Sequence, residues 1–133
     1  MPEDYDSTTD TDARGRDLDD NGIRDDIDVW LAGRFEGQAL DRMTLHARLH
    51  QMILTEPDGV ELSGLFGQIE DNSYCLWSIL GADKPAWTRE LFARLFNTRL
   101  RYERFMQRET STLTGTVASP ILPMTAWASR CGP

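Results

Sequence analysis

"LSGLFGQIEDNSYCLWSIL", residues 62–80, carries one helical pattern over five turns. Apolar side chains return every three or four residues, the spacing that aligns them on one face of an α-helix. This stripe consists of Leu62, Leu65, Phe66, Ile69, Leu76 and Leu80, with the small Ser73 in register. Gly81 follows directly, as expected of a residue that ends a helix. The stretch therefore predicts a long amphipathic helix over about residues 60–80.

The same period continues on both sides of this stretch. It predicts a first helix over residues 25–35 and a second over about 39–55, whereas residues 84–111 form one long helix or two. Asn97 and Thr98 offer side-chain oxygens that suit the start of a second helix. No strand-rich region is visible. The predicted fold is all-α, a small bundle of four to five helices.

The C-terminal tail, residues 112–133, breaks the helical pattern with three prolines and many small or β-branched residues. We expect an extended tail packed on the helices, because its apolar side chains would otherwise be exposed. These side chains are Val117, Ile121, Leu122, Met124 and Trp127.

The chain has two cysteines, Cys75 and Cys131. In an oxidising compartment they would form one disulfide that ties the tail to the helical body. The alternative is two free buried thiols, which behave as small apolar groups.

The net charge of −8 belongs to the N-terminal end. Residues 1–28 hold eleven Asp or Glu and three Arg, whereas in residues 29–133 eleven acids balance eleven bases. We interpret residues 1–16 as a flexible acidic leader and residues 17–133 as a single helical domain. The chain lacks the basic footprint of a nucleic-acid binder. It also lacks an apolar run near the roughly 20 residues that a membrane-spanning helix needs.

Within this acidic end, "DLDDNGIRDDID" (residues 17–28) places oxygen-bearing side chains in an alternating register. Counted from the first residue, they occupy positions one, three, five, nine and twelve: Asp17, Asp19, Asn21, Asp25 and Asp28. A short chain wrapped around Ca²⁺ points every second side chain inward. Glycine at position six, here Gly22, permits the sharp turn, and position seven, here Ile23, supplies its backbone carbonyl. The register therefore predicts a Ca²⁺ site.

The pattern D-x-D-x-N-G-I-x-D-x-x-D resembles the half EF-hand loops of dockerin modules and the Asp-rich calcium repeats of thrombospondin type 3. "NGIRDDID" is also similar to segments of secreted or lipid-anchored bacterial helical proteins of unassigned function. The resemblance covers residues 17–28 and implies Ca²⁺ binding outside the cytosol, without catalytic activity. Three features depart from a standard EF-hand: Asp28 replaces a glutamate, Arg24 is charged, and no clear helix precedes the loop. The competing interpretation is a solvated acidic run that caps the first helix.

Other candidate sites are weaker. His46 and His50 are four residues apart on a predicted helix, a spacing that zinc sites use, but Ala47 replaces the glutamate of an HExxH motif. Their default role is at the edge of the core or on the surface. Six arginines in residues 89–108 form a basic strip that could bind an acidic partner or the leader, although ion pairs along an exposed helix face explain it equally. No catalytic residue is predicted, because nucleophile and phosphate-binding motifs are missing.

The sequence thus favours a non-enzymatic, calcium-binding protein-interaction domain of a secreted or periplasmic bacterial protein. An immunity or inhibitor protein and an accessory protein are both compatible with this function. The partner is expected to be a protein, without nucleic-acid binding or membrane insertion, and the native precursor could carry a lipid anchor. The alternative is a small calcium-dependent hydrolase that uses His46 or His50. The oligomeric state does not follow from the sequence.

Overall fold

The computed structural model describes residues 15–114 and 121–132, and in these ranges it contains five α-helices and no strand. The helices are α1 (Asp25–Ala32), α2 (Gly37–Thr55), α3 (Ser63–Leu80), α4 (Lys84–Leu95) and α5 (Arg99–Leu113). The predicted all-α bundle is confirmed. The leader predicted for residues 1–16 lies outside the described residues except for its last two.

Residues 84–111 form two helices, which decides between the two predicted alternatives. The chain leaves α4 after Leu95, and Thr98 begins α5 by accepting a hydrogen bond from the Arg101 backbone N–H at 3.2 Å. This is the side-chain cap that the sequence predicts. At the start of α4, Asp83 makes no such bond, since a 3₁₀ turn over Gly81–Asp83 leads directly into the helix.

The first helix is shorter than predicted. It ends at Ala32, and Phe35 leaves the helical path to pack its ring edge-on against Trp87, with centroids 4.9 Å apart. This aromatic contact joins the segment after α1 to α4.

Helix α2 lies at the centre and contacts α1, α3, α4 and α5. The main core joins the N-terminal loop and the first four helices: Ile23, Ile27, Trp30, Leu31, Met43, Ala47, Leu76, Leu91 and Leu95. A second cluster joins the end of α2 to α3 and α5: Ile53, Leu54, Leu62 and Phe105. The helical stripes read from the sequence supply most of these residues.

The ends of α2 and α4 are closed by arginines from distant parts of the chain. Arg24 donates to the carbonyls of Arg94 and Leu95 at the end of α4, at 2.5 and 3.1 Å. Arg108 donates to the carbonyls of Ile53 and Glu56 at the end of α2. The last carbonyls of a helix have no partner within the helix, so a cation at this end satisfies both their hydrogen bonds and the helix dipole.

The C-terminal tail packs on α3 as predicted, but it is not extended throughout. Residues Met124–Cys131 form a 3₁₀ segment, which we call the C-terminal segment, and its Cys131 forms the predicted disulfide with the buried Cys75. The compact turns bring Trp127 over Trp77, with ring centroids 5.5 Å apart. The tail does not bury all its apolar residues, because Ile121 and Met124 remain exposed, and Val117 lies outside the described residues.

None of the helices in the described part of the chain combines the length and the apolar character needed to cross a membrane.

Candidate metal centre

The acidic stretch of residues 17–28 folds into a closed loop that leads into α1. The Asp25 backbone N–H donates to the Arg16 carbonyl at 2.8 Å, and the Leu18 N–H donates to the Asp25 carboxylate at 3.1 Å. Gly22 has φ +84°, which glycine adopts without steric cost, and Asp20 has φ +53°, which aspartate tolerates better than most residues. Gly22 therefore provides the turn that the sequence predicts at position six.

Three of the predicted ligand residues come together in this loop. Asp17, Asp19 and Asp25 each offer one carboxylate oxygen, and these oxygens all lie within 4.8 Å of one another. Oxygens that share one Ca²⁺ at 2.3–2.6 Å are separated by at most about 5 Å, twice the bond length. The three carboxylates are thus spaced as ligands of a common cation would be, and the donor set of hard oxygens suits Ca²⁺.

Asn21 and Asp28 contact each other at the edge of this cluster. The Asn21 Nδ2 donates to Asp28 Oδ2 at 2.7 Å, and its Oδ1 accepts from the Ile23 backbone N–H at 2.9 Å. The amide thus uses its oxygen to hold the turn, where the sequence predicts an inward ligand. The Asn21 N–H occupies only Oδ2 of Asp28, so the hydrogen bond does not involve the other carboxylate oxygen of that residue.

The charges of the loop act on one another. The pKa of Asp19 is raised, first by a hydrogen bond with Asp17, then by desolvation, and further by the negative charges of Asp28 and Asp17. A carboxylate whose neighbours favour its protonated form marks a place where negative charge is in excess. A divalent cation would remove this excess.

Side chains outside the ligand set fix the loop on the helical body. Ile23 is fully buried in the main core, directly before Arg24, which is 3% exposed and reaches the end of α4. Arg24 also pairs with Asp26 at 2.6 Å. From α2, the Arg48 Nε donates to the Asn21 carbonyl at 3.2 Å. The loop that carries the ligand residues is therefore anchored to the helical body at Asn21, Ile23 and Arg24.

Sequence reasoning missed the roles of Arg24 and Arg48. The one available signal was the charged residue at position eight, which appeared only as a departure from the EF-hand pattern. Arg24 donates to the backbone carbonyls of Arg94 and Leu95, which lie 70 and 71 residues further along the chain. No pattern of side chains in the sequence predicts such acceptors.

The histidines of the alternative site are core residues. His46 and His50 are 3% and 2% exposed, with ring centroids 4.5 Å apart, and the ring of His50 lies 4.7 Å from that of Phe92. Burial lowers the pKa of His46 well below its usual value and that of His50 to about 4. The sequence predicted that both histidines lie at the core edge or on the surface, whereas the structure buries both of them in the core.

The arginines predicted as a basic strip do not share one exposed face. Arg101 and Arg108 are buried, and Arg104 donates to the Leu54 carbonyl at 2.6 Å. Arg99 instead forms an exposed i,i+4 pair with Glu103 at 2.8 Å. Arg104 and Arg108 thus bond carbonyls at the end of α2, Arg101 bonds the Asn97 side chain, and Arg94 and Arg99 form surface ion pairs.

A groove lies between the end of α3 and the C-terminal segment, far in sequence from the acidic loop. It has a volume of about 530 Å³, and its lining is mostly apolar: Trp77, Ser78, Gly81, Ala82, Met124, Trp127 and Ala128. Met124, which lines it, is exposed.

The fold and the acidic loop together define an all-α, disulfide-linked protein with a candidate cation site at its N-terminal edge. Comparison with models of protein families, with curated proteins and with solved structures gives no match for this chain.

Proposed function

We propose that this chain is a calcium-binding domain in which Ca²⁺ joins the loop of residues 17–28 to the start of α1. The observation that carries the proposal is the convergence of Asp17, Asp19 and Asp25 within 4.8 Å, in a loop whose sequence has the register of a calcium site. Asp28, the Ile23 carbonyl and, after reorientation of its amide, Asn21 complete the proposed ligand set.

The role of the ion in this proposal is structural. Without a cation the carboxylates repel one another. The pKa of Asp19 is raised first by its hydrogen bond with Asp17 and by desolvation, and the charges of Asp28 and Asp17 add to this. Because Ile23 and Arg24 connect the loop to the core and to α4, order gained in the loop is transmitted to the body of the protein. Metal binding and folding are then thermodynamically coupled.

The competing function, a small hydrolase using His46 or His50, has less support. Both imidazoles are packed against phenylalanine rings inside the bundle, where a substrate and its water would need a path that their burial does not provide. His46→Ala and His50→Ala variants that retain the biological function of the protein would exclude this alternative.

The interaction role rests on exposed apolar surface. Leu18 in the calcium loop and Val29 directly after it are each 75% exposed, and Met124 lines the apolar groove. The groove is the concave, mostly apolar part of this surface, and a protein partner that buries apolar side chains could bind there. The disulfide is at home in an oxidising compartment, which supports a secreted or periplasmic protein, including an immunity, inhibitor or accessory protein.

The calcium proposal is tested by thermal unfolding of the chelator-treated protein during titration with CaCl₂. We expect the melting temperature to rise and then saturate. At a free concentration of about 100 times Kd, the stabilisation is about 2.7 kcal/mol, or roughly 10 °C for a chain of this size.

The matched variants are Asp17→Asn/Asp19→Asn and Asp20→Asn. The first removes two carboxylates of the cluster and should abolish the shift. The second removes one charge from the same loop at an exposed position outside the cluster, and should retain the shift. A chain whose melting temperature does not respond to millimolar Ca²⁺, or whose Asp17→Asn/Asp19→Asn variant responds like the native chain, would overturn the proposal.

A further inference from the structure

The only two histidines of the chain form a buried pair on α2. His50 Nδ1 lies 2.7 Å from the carbonyl oxygen of His46, and His46 Nδ1 lies 3.4 Å from the Asn72 side chain on α3. The rings are 4.5 Å apart. Neither polar contact involves a carboxylate that could compensate a charge on an imidazole.

Helices α4 and α5 close the pair with aromatic rings. Phe92 stacks on His46 at 6.0 Å with an interplanar angle of 11°, and Phe105 lies 5.7 Å from His50. Phe96, between the two helices, contacts His50 and stacks on Phe105 at 4.4 Å. The imidazoles therefore form part of the contact between α2 and the α4–α5 pair.

The charged group that acts on the pair from α4 is another cation. Lys84 is buried, with its ammonium over the Trp77 ring at 4.9 Å. Burial lowers the pKa of both histidines, and the charge of Lys84 lowers it further. Arg42 on α2 contacts Asn72, the neutral group that faces His46 from α3. The side that faces α5 presents Phe105. Protonation of the pair would thus gather positive charges in an aromatic core.

We propose that the His46–His50 pair is an acid-sensitive latch, closed while both imidazoles are neutral and opened by their protonation, which separates α2 from the α4–α5 pair. Opening would expose the aromatic surface of Phe92, Phe96 and Phe105. The direction follows from the contacts: among residues 15–114 and 121–132, no anionic group contacts either imidazole, and Lys84 adds a second positive charge.

The experiment follows the imidazole resonances of the full chain by NMR while near-UV circular dichroism reports core packing, from pH 7.5 to pH 3.5. Since the chain has two histidines, every imidazole signal belongs to the pair. We expect neutral imidazoles in the folded state at pH 6, and loss of the near-UV signal together with their protonation.

Carboxylates of the acidic loop also titrate in acid, so a variant must separate the two causes. His46→Asn/His50→Asn removes both titrating imidazoles and places a neutral amide group near the position of each original Nδ1. Its near-UV transition should move about one pH unit lower. An unchanged midpoint, or imidazoles that titrate near 6.5 in the folded native chain, would contradict the proposal.

Lys84→Met provides an independent test if the double variant does not fold. It keeps an apolar stem over Trp77 and removes the positive charge that acts on both imidazoles. The near-UV transition should again move to lower pH. Without the Lys84 charge, protonation of the pair costs less in the closed state and therefore drives opening less strongly at a given pH. If the Lys84→Met variant has the same transition midpoint as the native chain, the latch proposal would be wrong.

Discussion

Arg24 shows how one side chain connects the acidic loop to the helical body. Its guanidinium is buried, donates to two carbonyls at the end of α4 and pairs with Asp26 on α1. A buried guanidinium is tolerated only when its N–H groups are bonded, and here the unpaired carbonyls of a helix end supply that need. Arg24, one of the residues that depart from the EF-hand pattern, therefore helps to dock the loop.

We expect Arg24→Gln to lower the free energy of unfolding by about 2–3 kcal/mol, because charge-assisted hydrogen bonds to buried carbonyls are lost and the end of α4 is left unsatisfied. Arg99→Gln is the matched control. It removes a short but exposed pair with Glu103, and should change the free energy of unfolding far less than Arg24→Gln does. Urea unfolding measures both, and equal losses in the two variants would remove the special role of Arg24.

Asn21 marks the limit of prediction from the sequence at this scale. The alternating register predicts which residues enter the loop, and three of its carboxylates converge as expected. The register does not predict the hydrogen-bond partners of the two ends of an amide. The Asn21 Oδ1 accepts from the Ile23 N–H, and the Asn21 Nδ2 donates to Asp28. That choice depends on distances between backbone atoms, which a residue pattern does not contain.

At the scale of the elements, α5 depends on a side-chain cap. Thr98 is buried and accepts from the Arg101 N–H. Thr98→Ala should lower the free energy of unfolding by about 1 kcal/mol, because one N–H of the first turn loses its acceptor. Thr98→Ser keeps the hydroxyl and should lose clearly less in the same chemical unfolding experiment. If serine is as destabilising as alanine, the packing of the threonine methyl group, not the cap, is responsible.

The disulfide is the second connection between elements, joining α3 to the C-terminal segment across 56 residues. In the chain-entropy model, opening a loop of this length costs about 4 kcal/mol. We therefore expect Cys75→Ala/Cys131→Ala to lower the urea midpoint strongly. Reduction of the native chain provides the control, and a reduced native chain that unfolds at the oxidised midpoint would show that the tail is held by Trp127 and its neighbours alone.

The helices were predictable because each buries an apolar stripe with a period that the sequence displays. The burial of the C-terminal tail was less predictable. Its apolar residues suggested complete cover, yet Ile121 and Met124 stay exposed, because a tail without a repeating period gives no pattern from which its buried side chains can be read. The arginine caps on α2 and α4 were not predictable, because they join residues brought close only by the complete fold.

For the whole molecule, the buried imidazoles make stability depend on pH. The pKa of His50 is lowered from 6.5 to about 4, so between these values the unfolded chain binds a proton that the folded chain excludes. The stabilisation is complete above pH 6.5 and is lost as the pH falls towards 4. From pH 7 to pH 5 we expect a loss of about 2 kcal/mol from His50 alone, measured by urea unfolding at each pH. A His50→Asn variant with the same slope would assign the loss to carboxylates.

The bond between Cys75 and Cys131 also determines how the protein responds to mechanical force. It closes a covalent ring that contains α4 and α5, whereas α1, α2 and the acidic loop lie outside it. Tension between the two chain ends passes through the bond and bypasses the ring. With about 3.4 Å per residue, roughly 190 Å of chain cannot be extended until the bond is reduced.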